Sequence, residues 1–493
     1  VLLFVIIGAM RLISCISTLA IGLALLASPM AQGRSEKLPE SLAKRRVPAG
    51  RRQESKLSGY DFANFAAWRE PSRAASQTST ARVDELTLGV SGQGRPITAL
   101  RVGDGPRKFV LVGDTHGGPE ANTFQLASQL AEHFRAQPEQ VPPPVSLYII
   151  PTLNPDGLAL ETRFNANGVD LNRNMNTNID ACPENDWSVH VQGARGIESD
   201  TGGAYPDSEV ESRLIRDFLL DAAGTIFYHS SGGDVFPAFC EHAPSIALAQ
   251  HYAAATGYRY DRFWPNYNIT GGMHDWAGSL GIAAITPELF NGVDSDFEQN
   301  LAGVQAVLAQ AEQLLPLPED RDEAGIRVPA LIWRFWKAHG GMERFGPPLA
   351  PAEQDGPITR QFFARALLEL RPDQADTAFL VQPAPLGREA AAGQAFAPGA
   401  ETPDARFFPE TGHTLREAFQ SYWEQADGMK LFGYPLSEEF QAFTADGQRR
   451  TVQYFERAVF SYDPDLGVRL EPLGWLALVR GRLRDPTWVQ QIR

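Results

Sequence analysis

Four short segments hold the residues of this chain whose types and spacing could do chemistry. They are His116-Gly117-Gly118-Pro119-Glu120, Asn165 to Asn174, Phe227-Tyr228-His229-Ser230 and Ile285-Thr286-Pro287-Glu288-Leu289. His116, Glu120 and His229 make a His₂Glu set, which catalytic zinc takes while keeping a fourth position for water. Glu288 is a further carboxylate, able to take a proton from that water and pass it to a leaving nitrogen. Asn172 and Arg173 can clamp an anion, because a guanidinium meets a carboxylate with two parallel hydrogen bonds. Arg163 can steady a developing oxyanion. Tyr267 opens a stretch with paired glycines, Gly271-Gly272, which predicts a mobile loop able to close over a bound molecule. Each residue alone also has a structural reading: a strand-end histidine bonded to backbone, an acid in a first helical turn, a solvated loop arginine or a packed tyrosine.

The elements that must position these residues follow an α/β pattern. Phe109–Val112, Leu147–Ile150, Thr225–Tyr228 and Ile282–Ile285 are short apolar runs that predict buried strands, each ending just before a candidate residue or the turn Asn154-Pro155-Asp156-Gly157. Between them, Pro119 to Phe134 has helical spacing, with Phe124, Ala127, Leu130, Ala131 and Phe134 on one face. Ser208–Ala222 and Pro244–Thr256 also read as helical. Residues 83–116 alternate apolar runs with Gly and Pro, as hairpins do. Open α/β sheets carry their sites at the carboxyl ends of strands.

Beyond Leu317-Pro318 an internal repeat begins. Phe335-Trp336, Gly341-Met342, Phe345-Gly346 and Pro348-Leu349 recur as Tyr422-Trp423, Gly428-Met429, Phe432-Gly433 and Pro435-Leu436. Gln361 to Ala366 recurs as Gln453 to Ala458, and Leu386-Gly387 as Leu473-Gly474. Units at about 330–388 and 417–475 therefore form a two-copy domain within 317–493, joined by an Ala-, Gly- and Pro-rich linker at 389–405. Neither copy clusters His, Cys or acids at ligand spacing. Their shared Gly and Pro residues read as turns of an aromatic-cored module.

The 493 residues carry a formal charge of −15, which argues against nucleic-acid binding. Residues 1–31 read as a signal peptide, with Met10-Arg11 before an apolar run and a cleavage site near Ser28 to Ala31. An uncleaved anchor, or lipid attachment at Cys15, is the alternative. Residues 32–56 read as a flexible linker, and no other stretch has the ~20 apolar residues of a membrane span. Cys182 and Cys240 remain, either as a disulfide or as two free thiols.

Taken together, the motifs resemble the zinc carboxypeptidase family over roughly residues 57–316, most specifically at Asn165–Asn174 and at Tyr267 to Trp276 followed by Glu288. The resemblance implies a mixed, mainly parallel sheet flanked by helices. It implies one Zn²⁺ on His116, Glu120 and His229, with Arg163 polarising the scissile carbonyl. Asn172, Arg173 and Tyr267 would hold the substrate's terminal carboxylate, and Glu288 would be base and acid. His274, just before Asp275-Trp276, would face the pocket for the terminal side chain, which argues against strict selectivity for basic residues. The family places two residues between its first histidine and glutamate. Here there are three, so Asp114 is an alternative to Glu120. The repeats resemble LGFP-type modules, which implies association with a cell envelope.

The expected function is a secreted or extracellular zinc metallocarboxypeptidase acting on peptides. Alternatives are a peptidoglycan stem-peptide hydrolase, an amidohydrolase similar to succinylglutamate desuccinylases and, with least support, a binding protein that has lost catalysis.

Overall fold

A computed structural model describes residues 82–193 and 197–484, all of which fall in one compact unit. The expected signal peptide (1–31), linker (32–56) and first residues of the catalytic region lie outside the described residues.

The principal sheet has nine strands. They are β1 (Val83–Val90), β2 (Pro96–Val102), β3 (Arg107–Val112), β4 (Val145–Ile150), β5 (Ala222–Phe227), β6 (His229–Ser230), β7 (Asp234–Pro237), β8 (Arg259–Tyr260) and β9 (Ala283–Leu289). Their order is β1-β2-β4-β3-β5-β9-β7-β8, with β6 also paired to β9. The central run β4-β3-β5-β9 is parallel. The β1-β2, β2-β4 and β9-β7 pairs are antiparallel. The sheet is thus mixed and mainly parallel. The central strands are buried along nearly their whole length, which is why they are continuous apolar runs and do not alternate.

Helices α1 (Ala121–Ala136), α2 (Pro155–Ala159), α3 (Val210–Phe218), α4 (Ala243–Thr256), α5 (Met273–Ser279) and α6 (Phe297–Ala309) flank the sheet. On α1 the buried stripe is Leu126, Ala127, Leu130, Ala131 and Phe134, so Leu126 takes the core place expected of Phe124. Helix α3 is shorter than its sequence pattern, because Ala222 and Ala223 already belong to β5. Likewise β9 runs on through Glu288, so the glutamate lies within the strand and not after it.

Alternate residues of β3 and β4 feed two hydrophobic clusters. Phe109, Leu111, Leu147 and Ile149 enter one, with Leu126, Tyr252 and Val304. Val110, Val112, Tyr148 and Ile150 enter the other, which continues into the C-terminal region through Ile332, Phe335, Phe363, Phe432 and Phe460. The C-terminal region therefore shares a core with one face of the sheet.

Each C-terminal unit is a two-stranded hairpin, two helices, a four-stranded antiparallel sheet and a closing helix. The first sheet is Glu353–Asp355, Ile358–Phe362, Leu367–Leu370 and Val381–Pro383. The second is Phe440–Phe443, Arg449–Tyr454, Val459–Asp463 and Gly467–Leu470. Equivalent residues make equivalent bonds: Trp336 Nε1 donates to the Gly346 carbonyl and Trp423 Nε1 to that of Gly433, both at 3.0 Å. The closing helices are exchanged. Gly387 lies against the backbone of Phe455 and Ala458 in the second unit, and Gly474 against Phe363 and Ala366 in the first. These two glycines permit close approach of backbones, whereas Gly346 and Gly433, with φ of 75° and 74°, are the turns expected from sequence.

Candidate active site

The chain leaves β3 through Gly113 and turns back at Gly117-Gly118 into a 3₁₀ turn, Gly118–Glu120, that leads directly into α1. This turn absorbs the additional residue between His116 and Glu120. Gly118 has φ 63°, and a Cβ there would overlap the Glu161 carbonyl; one at Gly117 would overlap the Gly157-Leu158 peptide. Only glycine suits either position. Gly118→Ala is expected to weaken zinc affinity about tenfold or more, read by competition with a chelator. Wild-type affinity in that variant would contradict the turn's role in setting ligand geometry.

The turn brings Glu120 to His116. His116 Nδ1 lies 2.8 Å from Glu120 Oε1, while His229 Nδ1 lies 2.9 Å from Glu120 Oε2 and 3.1 Å from His116 Nδ1. Asp114 is elsewhere, buried and accepting a hydrogen bond from Thr152 Oγ1 at 2.6 Å. Glu120, not Asp114, is therefore the carboxylate that joins the two histidines.

Asp170 supplies what the residue pattern left unassigned. Its Oδ1 meets His116 Nε2 at 2.8 Å and its Oδ2 accepts from Arg163 Nε at 2.9 Å. A carboxylate on the remote ring nitrogen turns the Nδ1 lone pair inward. Burial holds His229 neutral by pulling its pKa down to about 4, and its Nε2 has no hydrogen-bond partner. Two imidazole nitrogens and a carboxylate thus converge in a buried space, a set whose lone pairs a cation accommodates. Tetrahedral zinc bonds of about 2.0–2.1 Å place donor atoms about 3.3 Å apart, within a few tenths of the spacing here. The three residues fit a zinc ion. The signal for Asp170 was its place in the most specific segment, directly before Leu171-Asn172-Arg173.

Arg163 joins this group, with Nη1 2.8 Å from Glu120 Oε1. Glu288 stands beside His229 in the β6-β9 register and opposite Asp234 in the β7-β9 register. Burial, with the Glu120 charge nearby, pushes its carboxyl well above the usual carboxylate range. A cation on the three ligands acts in the opposite sense.

A cavity of about 300 Å³ opens next to these groups, and Asn172, Tyr267, His274 and Glu288 all line it. Asn172 Oδ1 accepts from Met273 N at 2.9 Å, which leaves its amide NH₂ for the pocket. Arg173 does not itself line the cavity; it lies behind Tyr267, 5.8 Å from the ring centre. It is 2% exposed, its Nη1 donates to the Asn172 carbonyl at 2.8 Å, and its Nε has no partner. His274 Nδ1 is 3.1 Å from Thr286 Oγ1. The Tyr267 loop, expected to be mobile, is tied at its far end by Gly271 N to the Asn185 carbonyl at 3.0 Å. The Cys182–Cys240 disulfide joins the segment bearing Asn185 to the pocket residue Phe239 and its neighbours.

Comparison with known proteins finds relatives of one kind. Residues 72–236 match the model of the zinc carboxypeptidase family, a family of zinc-dependent hydrolases. It is similar to carboxypeptidase B of Astacus astacus, with 26% identity over 319 residues, 55% of this chain and 96% of that protein. It is also 31% identical over 100 residues to carboxypeptidase SOL1 of Arabidopsis thaliana, a match spanning 18% of this chain and only 20% of that protein. Among solved structures, bovine thrombin-activatable fibrinolysis inhibitor aligns at 20% identity with a TM-score of 0.39, over 46% of this chain and 90% of that one.

Proposed function

We propose that the chain is a secreted zinc metallocarboxypeptidase that removes single residues from the carboxyl ends of peptides. The observation that carries this reading is Arg173: a buried guanidinium whose Nε has no hydrogen-bond partner, beside the pocket that Glu288 also lines. A buried charge of that kind needs an anion, and a peptide's terminal carboxylate supplies one.

Zinc on His116, Glu120 and His229 would supply Lewis acidity to a carbonyl and acidity to a water. The chain's own residues do the rest. Arg173, with Asn172 and Tyr267, fixes the terminal carboxylate and so the register of the last peptide bond. Arg163 donates to the scissile carbonyl oxygen as it gains charge. Glu288 takes a proton from the attacking water and delivers it to the departing nitrogen. The C–N bond breaks, leaving a shortened peptide and a free amino acid.

The pocket walls are aromatic: Phe236 packs on Trp264 at 5.4 Å and Phe239 on Phe263 at 5.2 Å, with His274 and Thr286 also lining the cavity. Large aromatic or apolar terminal residues are expected to exceed Lys and Arg in kcat/KM by about tenfold or more. A library of peptides differing only in the last residue tests both points. Best turnover on C-terminal Lys or Arg would contradict the pocket assignment. Hydrolysis of N-acyl amino acids without any peptide cleavage would overturn the peptidase reading. Secretion is supported by the Cys182–Cys240 disulfide, which suits an oxidising compartment. Recovery of the protein only from the reducing cytosol would remove it.

A further inference from the structure

Among the groups that hold the segment after Arg173, one acid bonds its backbone twice. Asp207 N donates to the Asn174 carbonyl at 2.6 Å, and its Oδ1 accepts from Asn176 N at 3.0 Å. Between them, Met175 N donates to the Gly271 carbonyl at 3.1 Å, in the loop that carries Tyr267. The other oxygen of Asp207 accepts from Arg216 Nη1 at 3.2 Å. Arg216 is 4% exposed and turns its remaining donors the other way. Its Nε and Nη2 take both oxygens of Asp217 at 3.1 Å, and Nη2 also reaches Asp427 Oδ2 at 2.8 Å. Asp427 belongs to the second C-terminal unit. The second unit also supplies Lys430 Nζ, 2.6 Å from Asp217 Oδ2, and the first supplies His339 Nε2, 2.9 Å from Asp217 Oδ1.

We infer that the second C-terminal unit positions the carboxylate-binding segment of the active site, through a buried relay from Asp427 to Arg216 to Asp207 that ends on the backbone of Asn174 and Asn176. The inference rests on the reading of Arg173 as the carboxylate anchor. Asp207, Arg216 and Asp427 are positioning residues and touch no reacting atom. With the Asp427 charge removed, Arg216 keeps its ion pairs to Asp217 and Asp207 but loses its charged tie to the second unit, and can shift with Asp217 relative to Asp207. The turn carrying Arg173 then gains freedom. A displacement of about 1 Å at a substrate clamp is enough to weaken it markedly.

Asp427→Asn is the suitable variant. The relay and its neighbours hold three acids (Asp207, Asp217, Asp427) against two cations (Arg216, Lys430), while burial keeps His339 neutral. Losing one acid therefore balances the buried charges. Asp427 has φ 56°, a conformation that asparagine tolerates.

The test uses the full zinc-loaded chain. It compares wild type and Asp427→Asn in KM and kcat on a peptide with a free C-terminus. It also compares inhibition by free phenylalanine, which carries a carboxylate, with inhibition by acetohydroxamate, which binds metal and has none. The relay predicts that KM and the phenylalanine inhibition constant rise together by about five- to tenfold. It predicts that kcat and acetohydroxamate inhibition stay within about twofold. Asp207→Asn, which cuts the relay at its other end, carries the same signature and serves if the first variant does not fold. Unchanged KM beside a carboxylate-sensitive wild type removes the relay alone, and so does a uniform change in all four quantities. A wild-type enzyme indifferent to phenylalanine removes the anchor reading and the relay with it.

Discussion

Glu288→Gln is expected to lower kcat by about 10³-fold with little change in KM or bound zinc. Glutamine keeps the size of the side chain and its place in β9, between His229 of β6 and Asp234 of β7. It cannot accept a proton. General acid–base catalysis is typically worth about 10²–10⁴ in rate, and this carboxyl serves in both directions of transfer. Steady-state kinetics with metal analysis of the same preparation check the point. Full zinc with more than about a tenth of wild-type kcat would take the base role away from Glu288.

Deleting residues 317–493 is expected to abolish folding of the remainder. Arg334, 3% exposed, shows why. Its guanidinium donates to the carbonyls of Leu220 and Ala222 at 3.0 and 2.8 Å, and to those of Leu280 and Gly281 at 3.0 and 3.2 Å. Those carbonyls lie at the entries to β5 and β9, the strands that lead to His229 and carry Glu288. Leaving a buried acceptor unpaired costs about 1–3 kcal/mol, so Arg334→Met alone should cost about 4 kcal/mol. The truncation also strips the shared core of Phe335, Phe363 and their neighbours, at about 2–3 kcal/mol per large side chain. Against a total stability of about 5–15 kcal/mol, that loss is decisive. Thermal unfolding of the intact chain should show one cooperative transition across both regions. A soluble fragment ending at residue 316 with the melting temperature of the whole would contradict this. The repeats share their core with the sheet that carries the candidate site.

Much of the site was legible because its residues punctuate strongly apolar strands. Val110–Val112 before His116, Thr225–Tyr228 before His229 and Ile282–Pro287 before Glu288 read as buried strands leading to a polar residue, and the three together narrowed what each residue alone left open. The His116–Glu120 spacing was ambiguous because ligand geometry depends on φ at Gly118, and a sequence does not state the path a glycine takes. Asp170 was visible but unassigned, since its partners His116 and Arg163 meet it only in the folded chain. The exchange of closing helices was hidden for another reason. Gly387 and Gly474 repeat like the turn glycines Gly346 and Gly433, but each serves a contact with the opposite copy. Nor does local sequence pair Arg216 with Asp427, which are 211 positions apart.

The most direct measurement is mass spectrometry of a peptide with a free C-terminus after exposure to the full chain, zinc-loaded and chelator-stripped, beside the same peptide with an amidated C-terminus. Stepwise loss of single C-terminal residues from the free-acid peptide is expected, abolished by the chelator and restored by zinc, with the amidated peptide intact. Equal cleavage of both peptides, or cleavage indifferent to zinc, would contradict a metal-dependent enzyme that reads its substrate by the terminal carboxylate.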